Sequence, residues 1–90
     1  WHHILDDDRS PLETSGTLQF AYSFKKGIEA GVLDFDPYHD AAKWAMQICE
    51  GCVDTDGNVN RVAVPPGGPD VPFGDALVGQ GIYLLAAQQF

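Results

Sequence analysis

Residues 12–17, Leu12-Glu13-Thr14-Ser15-Gly16-Thr17, place a carboxylate, three hydroxyls and a glycine at the opening of the first long helical pattern. The first turn of a helix leaves four backbone N–H groups without intrahelical partners. Hydroxyls and carboxylates at that position can cap those donors, and can also meet the polar groups of a ligand. Thr14 or Ser15 is the expected cap. Just upstream, Trp1-His2-His3-Ile4-Leu5-Asp6-Asp7 leads aromatic and imidazole side chains into an acidic turn. Alternation along an extended segment sends His3 away from the face that His2 uses. Asp6, Asp7 and Asp8 read as solvated charge.

Cys49 and Cys52 form a C-x-x-C pair. A redox pair sits at a helix N-terminus, where the dipole lowers a thiol pKa. This one falls near a helix C-terminus, and no second ligand pair at zinc spacing accompanies it. Two structural thiols are the expectation, and no metal or cofactor is implied. The stretch Asp54-Thr55-Asp56-Gly57-Asn58-Val59-Asn60 superficially resembles a calcium loop. Its glycine comes too early, and Pro65 stands where the closing glutamate belongs.

These groups need elements to position them. A first helix is predicted from about Ser15 to Ala30, with Gly31 as its C′ residue. Leu18, Ala21, Phe24 or Lys25, Ile28 and Val32 mark its stripe, and Phe20, Tyr22 and Phe24 make it apolar over much of its circumference. Such a helix belongs inside a larger body. Asp36-Pro37 restarts the pattern as N-cap and N1. Tyr38, Ala41, Ala42, Ala45, Ile48, Cys49 and Cys52 then line a half-exposed second helix, with Trp44 and Tyr38 in outer packing. The stretch from Val53 to Val59 reads as a hairpin around Asp56-Gly57, and Arg61–Val64 continues its second strand. Residues 65–75 read as a long irregular loop. A third helix starts near Ala76–Val78, with the stripe Val78, Ile82, Leu85, Ala86 and Gln89. Gly79 and Gly81 allow close backbone approach near its start.

Short connections make successive helices alternate in direction. The N-termini of helices one and three and the C-terminus of helix two therefore share one end. The leading segment, the hairpin and the Pro/Gly loop gather there, and only a short turn lies opposite. One elaborated end and one plain end is the layout of an α/α barrel with a site at its mouth. Two positive helix ends at that mouth favour an anionic ligand.

Composition bounds the function. Thirteen acidic and five basic residues leave a net charge of −8. That excludes a basic footprint for nucleic acid and disfavours anionic membrane surfaces. No apolar run is long enough to span a bilayer. A ninety-residue chain buries only about two thirds of its unfolded surface. Together with the apolar first helix, this suggests a piece of a larger core rather than a self-sufficient miniature.

Trp1-His2-His3-Ile4-Leu5-Asp6-Asp7, then Glu13-Thr14-Ser15-Gly16-Thr17, the Asp56-Gly57-Asn58-Val59 turn, and Val78-Gly79-Gln80-Gly81-Ile82-Tyr83-Leu84-Leu85-Ala86 resemble, in that order, the C-terminal part of glycoside hydrolase family 105. These are unsaturated rhamnogalacturonyl hydrolases, related to the unsaturated glucuronyl hydrolases of family 88. The resemblance covers all of residues 1–90 and implies an all-α fold. That fold is part of an (α/α)6 barrel, with three helices and a small β-hairpin between the second and third. It implies a parent that removes unsaturated uronic acid from lyase-generated oligosaccharides of the pectin and rhamnogalacturonan type. An aspartic acid protonates the vinyl-ether double bond, water adds at the adjacent carbon, and the hemiketal collapses. The family's catalytic aspartate lies upstream of these residues, so no catalytic residue is assigned here. No cofactor is implied; the partners are the oligosaccharide and the remainder of the barrel, and the compartment is cytoplasmic.

On this reading Trp1 stacks on the sugar and His2 hydrogen-bonds to it. Glu13, Thr14, Ser15 and Gln80 meet its hydroxyls or carboxylate, and Arg61 offers a weaker bidentate partner. Helix capping and packing are the competing uses of the same side chains. The alternative function is a stand-alone helical binding or interaction module without activity. An epimerase or lyase of similar architecture is a third reading.

Overall fold

The computed structural model describes residues 1–90. Three helices, α1 (Thr14–Glu29), α2 (Phe35–Glu50) and α3 (Leu77–Ala87), carry two short strands between the second and third, β1 (Val62–Ala63) and β2 (Phe73–Gly74). The first helix packs against both of the others and touches β1.

The end of α1 follows from Gly31. Its positive φ of 77° lets its N–H reach the Ile28 carbonyl while the Val32 N–H reaches the Gly27 carbonyl. This is the paired closure of a Schellman motif. The start of α1 differs from expectation: Glu13, not Thr14 or Ser15, is the N-cap. In α2, Asp36 is non-helical (φ −90°, ψ 136°), so regular turns begin at Pro37.

The α2 stripe is rotated from the expected one. Ala42, Ala45, Met46 and Cys49 are buried, whereas Ile48 is 58% exposed. The row Ala41, Ala45, Ile48 and Cys52 instead borders an open cavity. Alanines make the close contact between the helices, where Ala21 meets Ala42 and Ala45. The main core is Leu18, Met46, Cys49, Val59, Val62 and Ala86. In α3 only Gly79 and Ala86 are buried, and the expected stripe residues Val78 and Leu85 stay exposed. Gly79 lies against β1: a Cβ there would stand 2.7 Å from Val62 Cγ2. Gly81 faces open space, so only the first of the two glycines serves close approach.

The hairpin also departs from expectation. Val53 and Val59 form a single antiparallel bridge around a turn with Gly57 at φ 83°. The second strand does not run on, because Arg61 adopts a left-handed φ of 59° and redirects the chain. Val62 and Ala63 then pair antiparallel with Gly74 and Phe73, inside the stretch expected to be irregular loop.

The predicted gathering at one end is observed. The Thr14 N–H donates to the Arg61 carbonyl, the Cys49 thiol approaches the Thr14 carbonyl at 3.9 Å, and Gln80 reaches the 57–59 turn. The mouth does not offer two open positive helix ends, however. The first turn of α1 is filled by the carboxylate of Glu13. No helix is long and apolar enough to cross a membrane.

Candidate active site at the gathered mouth

Glu13 is the hub of the mouth. It is nearly inaccessible, and both carboxylate oxygens are engaged. Oε2 accepts from the Gly16 N–H at 2.6 Å. Oε1 accepts from the Ser15 N–H at 3.2 Å, the Ser15 hydroxyl at 2.7 Å and the Ala63 N–H at 2.9 Å. Burial alone would push this carboxyl up. The bonds from Gly16, Ser15 and Ala63 outweigh it and hold the group below the ordinary carboxylate range. The Glu13 carbonyl accepts the Thr17 hydroxyl at 2.7 Å, and its N–H donates to the Trp1 carbonyl. Of the three hydroxyls in the motif, those of Ser15 and Thr17 therefore serve Glu13.

Gln80 is likewise engaged. Its Oε1 accepts from the Val59 N–H, and its Nε2 donates to the Gly57 carbonyl at 3.0 Å. The side-chain amide pairs with the turn as a neighbouring strand would. Asp54 closes the same turn from inside. Its carboxylate accepts from the Asp56 and Asn58 N–H groups at 2.9 Å and from Asn60 Nδ2 at 3.1 Å. Bonds from Asn58 and Asn60 lead in holding that carboxyl below its ordinary range.

Trp1 packs on the aromatic face of α1, with ring centroids 4.9 Å from Phe20 and 5.8 Å from Phe24. His2 Nδ1 lies 2.7 Å from the Ser10 carbonyl, and His3 Nε2 lies 2.7 Å from the Gly68 carbonyl. The two imidazoles take different partners, His2 within the leading segment and His3 on the 64–74 stretch. The chain bends at His3, and both border one recess of about 200 Å³ with Trp1, Glu13, Gly16 and Phe20. Thr14 is buried beside a second cavity of about 360 Å³ that Trp1, Trp44, Ile48 and Arg61 also line. The structure thus brings Trp1, His2, Glu13, Thr14 and Ser15 together. Gln80 stands across the turn, linked to them through the 57–63 segment.

In the acidic turn, Asp7 accepts from the Arg9 N–H at 3.0 Å and lies 3.3 Å from its Nε, while Asp6 and Asp8 are exposed. Both cysteines are free. Burial, reinforced by the neighbouring Cys52, pushes the Cys49 thiol up to about 12, the behaviour of an inert core residue. Sequence reasoning passed over His3 as a mouth residue. Its tie to Gly68 spans 65 positions and leaves no local signal.

Known proteins of this shape exist. A protein from Salmonella enterica subsp. enterica serovar Paratyphi A, described as a possible member of the GH105 family, superposes on 99% of this chain with a TM-score of 0.91 and 25% identity. A Bacteroides vulgatus protein of glycosyl hydrolase family 88 superposes on 99% with a TM-score of 0.82 and 29% identity. A Klebsiella pneumoniae protein described like the first shares the fold at a TM-score of 0.92, with 24% identity. The chain spans 25%, 28% and 25% of those three structures. No curated protein matches it. The three helices and small sheet are accordingly part of a helical barrel of this group. The profile of Glycosyl Hydrolase Family 88 matches residues 1–86, so the chain belongs to glycosyl hydrolase family 88.

Proposed function

We propose that these residues are the C-terminal segment of a hydrolase that removes unsaturated uronic acid residues from lyase-generated oligosaccharides of the pectin and rhamnogalacturonan type. The observation that carries this reading is the family match over residues 1–86, whose motifs converge on one elaborated end. The reaction is hydration: a carboxylic acid delivers a proton to one carbon of the vinyl-ether double bond, and water supplies hydroxide to the other. The resulting hemiketal opens and expels the neighbouring sugar. The proton donor belongs to the rest of the parent protein, and the segment by itself is inactive.

Within that parent, Trp1 and His2 border open space and are suited to touch the sugar, Trp1 by its ring and His2 by an imidazole nitrogen. Thr14 borders the adjoining cavity, and Ser15 supports the wall through its bond to Glu13. Glu13 and Gln80 have their polar atoms committed to the backbone and hold that wall in shape. A hydrolase of short imported oligosaccharides fits a cytoplasmic location.

The test is to incubate the full-length gene product with an unsaturated rhamnogalacturonyl disaccharide and follow the ultraviolet absorbance of the conjugated double bond. Loss of absorbance, with release of the saturated sugar, is the expected outcome. Unchanged absorbance across unsaturated galacturonyl and glucuronyl substrates would overturn the assignment.

A further inference from the structure

Glutamate is not among the residues that helix N-caps prefer. Serine, threonine, aspartate and asparagine do that work with a shorter side chain, and three hydroxyl residues follow Glu13 within four positions. The extra methylene serves a second purpose. While one oxygen caps α1 at Gly16, the other reaches the Ala63 N–H, fifty residues further along. Ala63 belongs to β1, the stem from which the Pro/Gly loop departs; the Val64 N–H bonds to the Pro72 carbonyl at 3.0 Å and closes that stem. The tip of the same loop is held by His3, whose Nε2 meets the Gly68 carbonyl while its ring meets Phe73 of β2 edge-on at 5.2 Å. The loop is therefore gripped twice, by Glu13 at the β1 side of its stem and by His3 at Gly68 and the β2 side. His3 itself borders the recess that Trp1 and His2 share.

We propose that Glu13 and His3 are positioning residues that tie the 64–72 loop to the segment walling the mouth, so that loop and wall brace one another and set how tightly the site holds its sugar. Neither needs to touch the reacting atoms. Glu13 fixes where the loop begins, and His3, which borders the recess, fixes its middle at Gly68. This inference rests on the reading of the mouth as a sugar site, but the loop's attachment can be measured without any substrate.

The decisive variant is Glu13→Asp in the full-length protein. Aspartate is a good N-cap, so α1 keeps its start, but it is too short to reach Ala63 as well. Hydrogen–deuterium exchange of residues 60–74 should become about tenfold faster, the loss expected for one hydrogen bond to a charged acceptor. Exchange within α1 should stay unchanged. The Michaelis constant for an unsaturated uronide should rise several-fold while kcat holds. His3→Ala should speed exchange near Gly68 and around Phe73, and raise KM in the same way. Unchanged exchange at 60–74 in Glu13→Asp would overturn the proposal, as would a fall in kcat with KM unaltered. If the wild-type protein has no activity on unsaturated uronides, the functional reading falls, and the exchange data alone decide whether the loop is docked as described.

Discussion

At the scale of single residues, Glu13 shows how a capping position can do more than cap. Replacing it with alanine removes the cap and leaves the Gly16 and Ala63 N–H groups without their acceptor. A loss of about 2–3 kcal/mol in stability is expected from those terms together, read from chemical denaturation of the full-length protein. The pH dependence has a definite sign. The folded-state pKa lies below the ordinary value of 4.5, so the stabilisation is present above that pH and disappears as pH falls through the lower folded value. Glu13→Ala should therefore differ most from wild type near neutrality, with the two acid melting curves converging only as pH falls through the lowered folded value. At Cys49, a thiol raised to about 12 should resist alkylation in the native protein and react only after unfolding, read by mass spectrometry of the peptide containing it. The sequence showed that polar groups open α1, but not which one caps it. Propensity ranks threonine and serine above glutamate, and the donor that tips the balance, Ala63, is distant along the chain. Gln80 was legible as a polar residue at a helix start, whereas its use as a strand-like partner for Val59 was not.

At the scale of elements, the helices were readable and the small sheet was not. Sixteen-residue periodic segments announce themselves in α1 and α2, and the Asp36-Pro37 and Gly31 boundaries rest on local backbone chemistry. Strands of two residues carry no period, and β2 is embedded among prolines and glycines that read as loop. Arg61 decides the topology by turning the chain between the 53–59 bridge and β1. The rotation of α2 was missed because its alanines fit either face, and burial of Met46 over Ile48 is settled by contact with Leu18 and Cys49 in the core. Gly79 was anticipated as a point of close approach. Gly79→Ala should drive a Cβ into the buried Val62 side chain and cost about 1–3 kcal/mol, read by thermal or denaturant unfolding. Adding Val62→Ala should restore part of the loss, because the two sites share one contact.

At the scale of the whole molecule, much apolar surface faces outward. Trp44 is 66% exposed and Leu77 89%, and Ile48, Leu84 and Leu85 add to the two flanks. Those flanks fit a segment that spans about a quarter of its structural relatives. The ninety residues expressed alone should self-associate or melt without cooperativity, as followed by sedimentation beside circular dichroism. A sharp monomeric transition would instead favour a stand-alone helical module. The all-α class and the one-sided crowding of loops were readable from helix order alone, since alternation of direction follows from short connections.

The bonds that gather the mouth join residues far apart in the chain: 35 positions for Thr14 and Cys49, 50 for Glu13 and Ala63, 65 for His3 and Gly68. Each such closure costs chain entropy that nearby helical turns do not. The helices should accordingly assemble early and the mouth late, so that a half-folded molecule has its scaffold but not its grip. Pulse labelling during refolding of the full-length protein should find amides within α1 and α2 protected before that of Ala63. A newly made chain would then pass through a period in which it looks helical while its mouth is still unassembled.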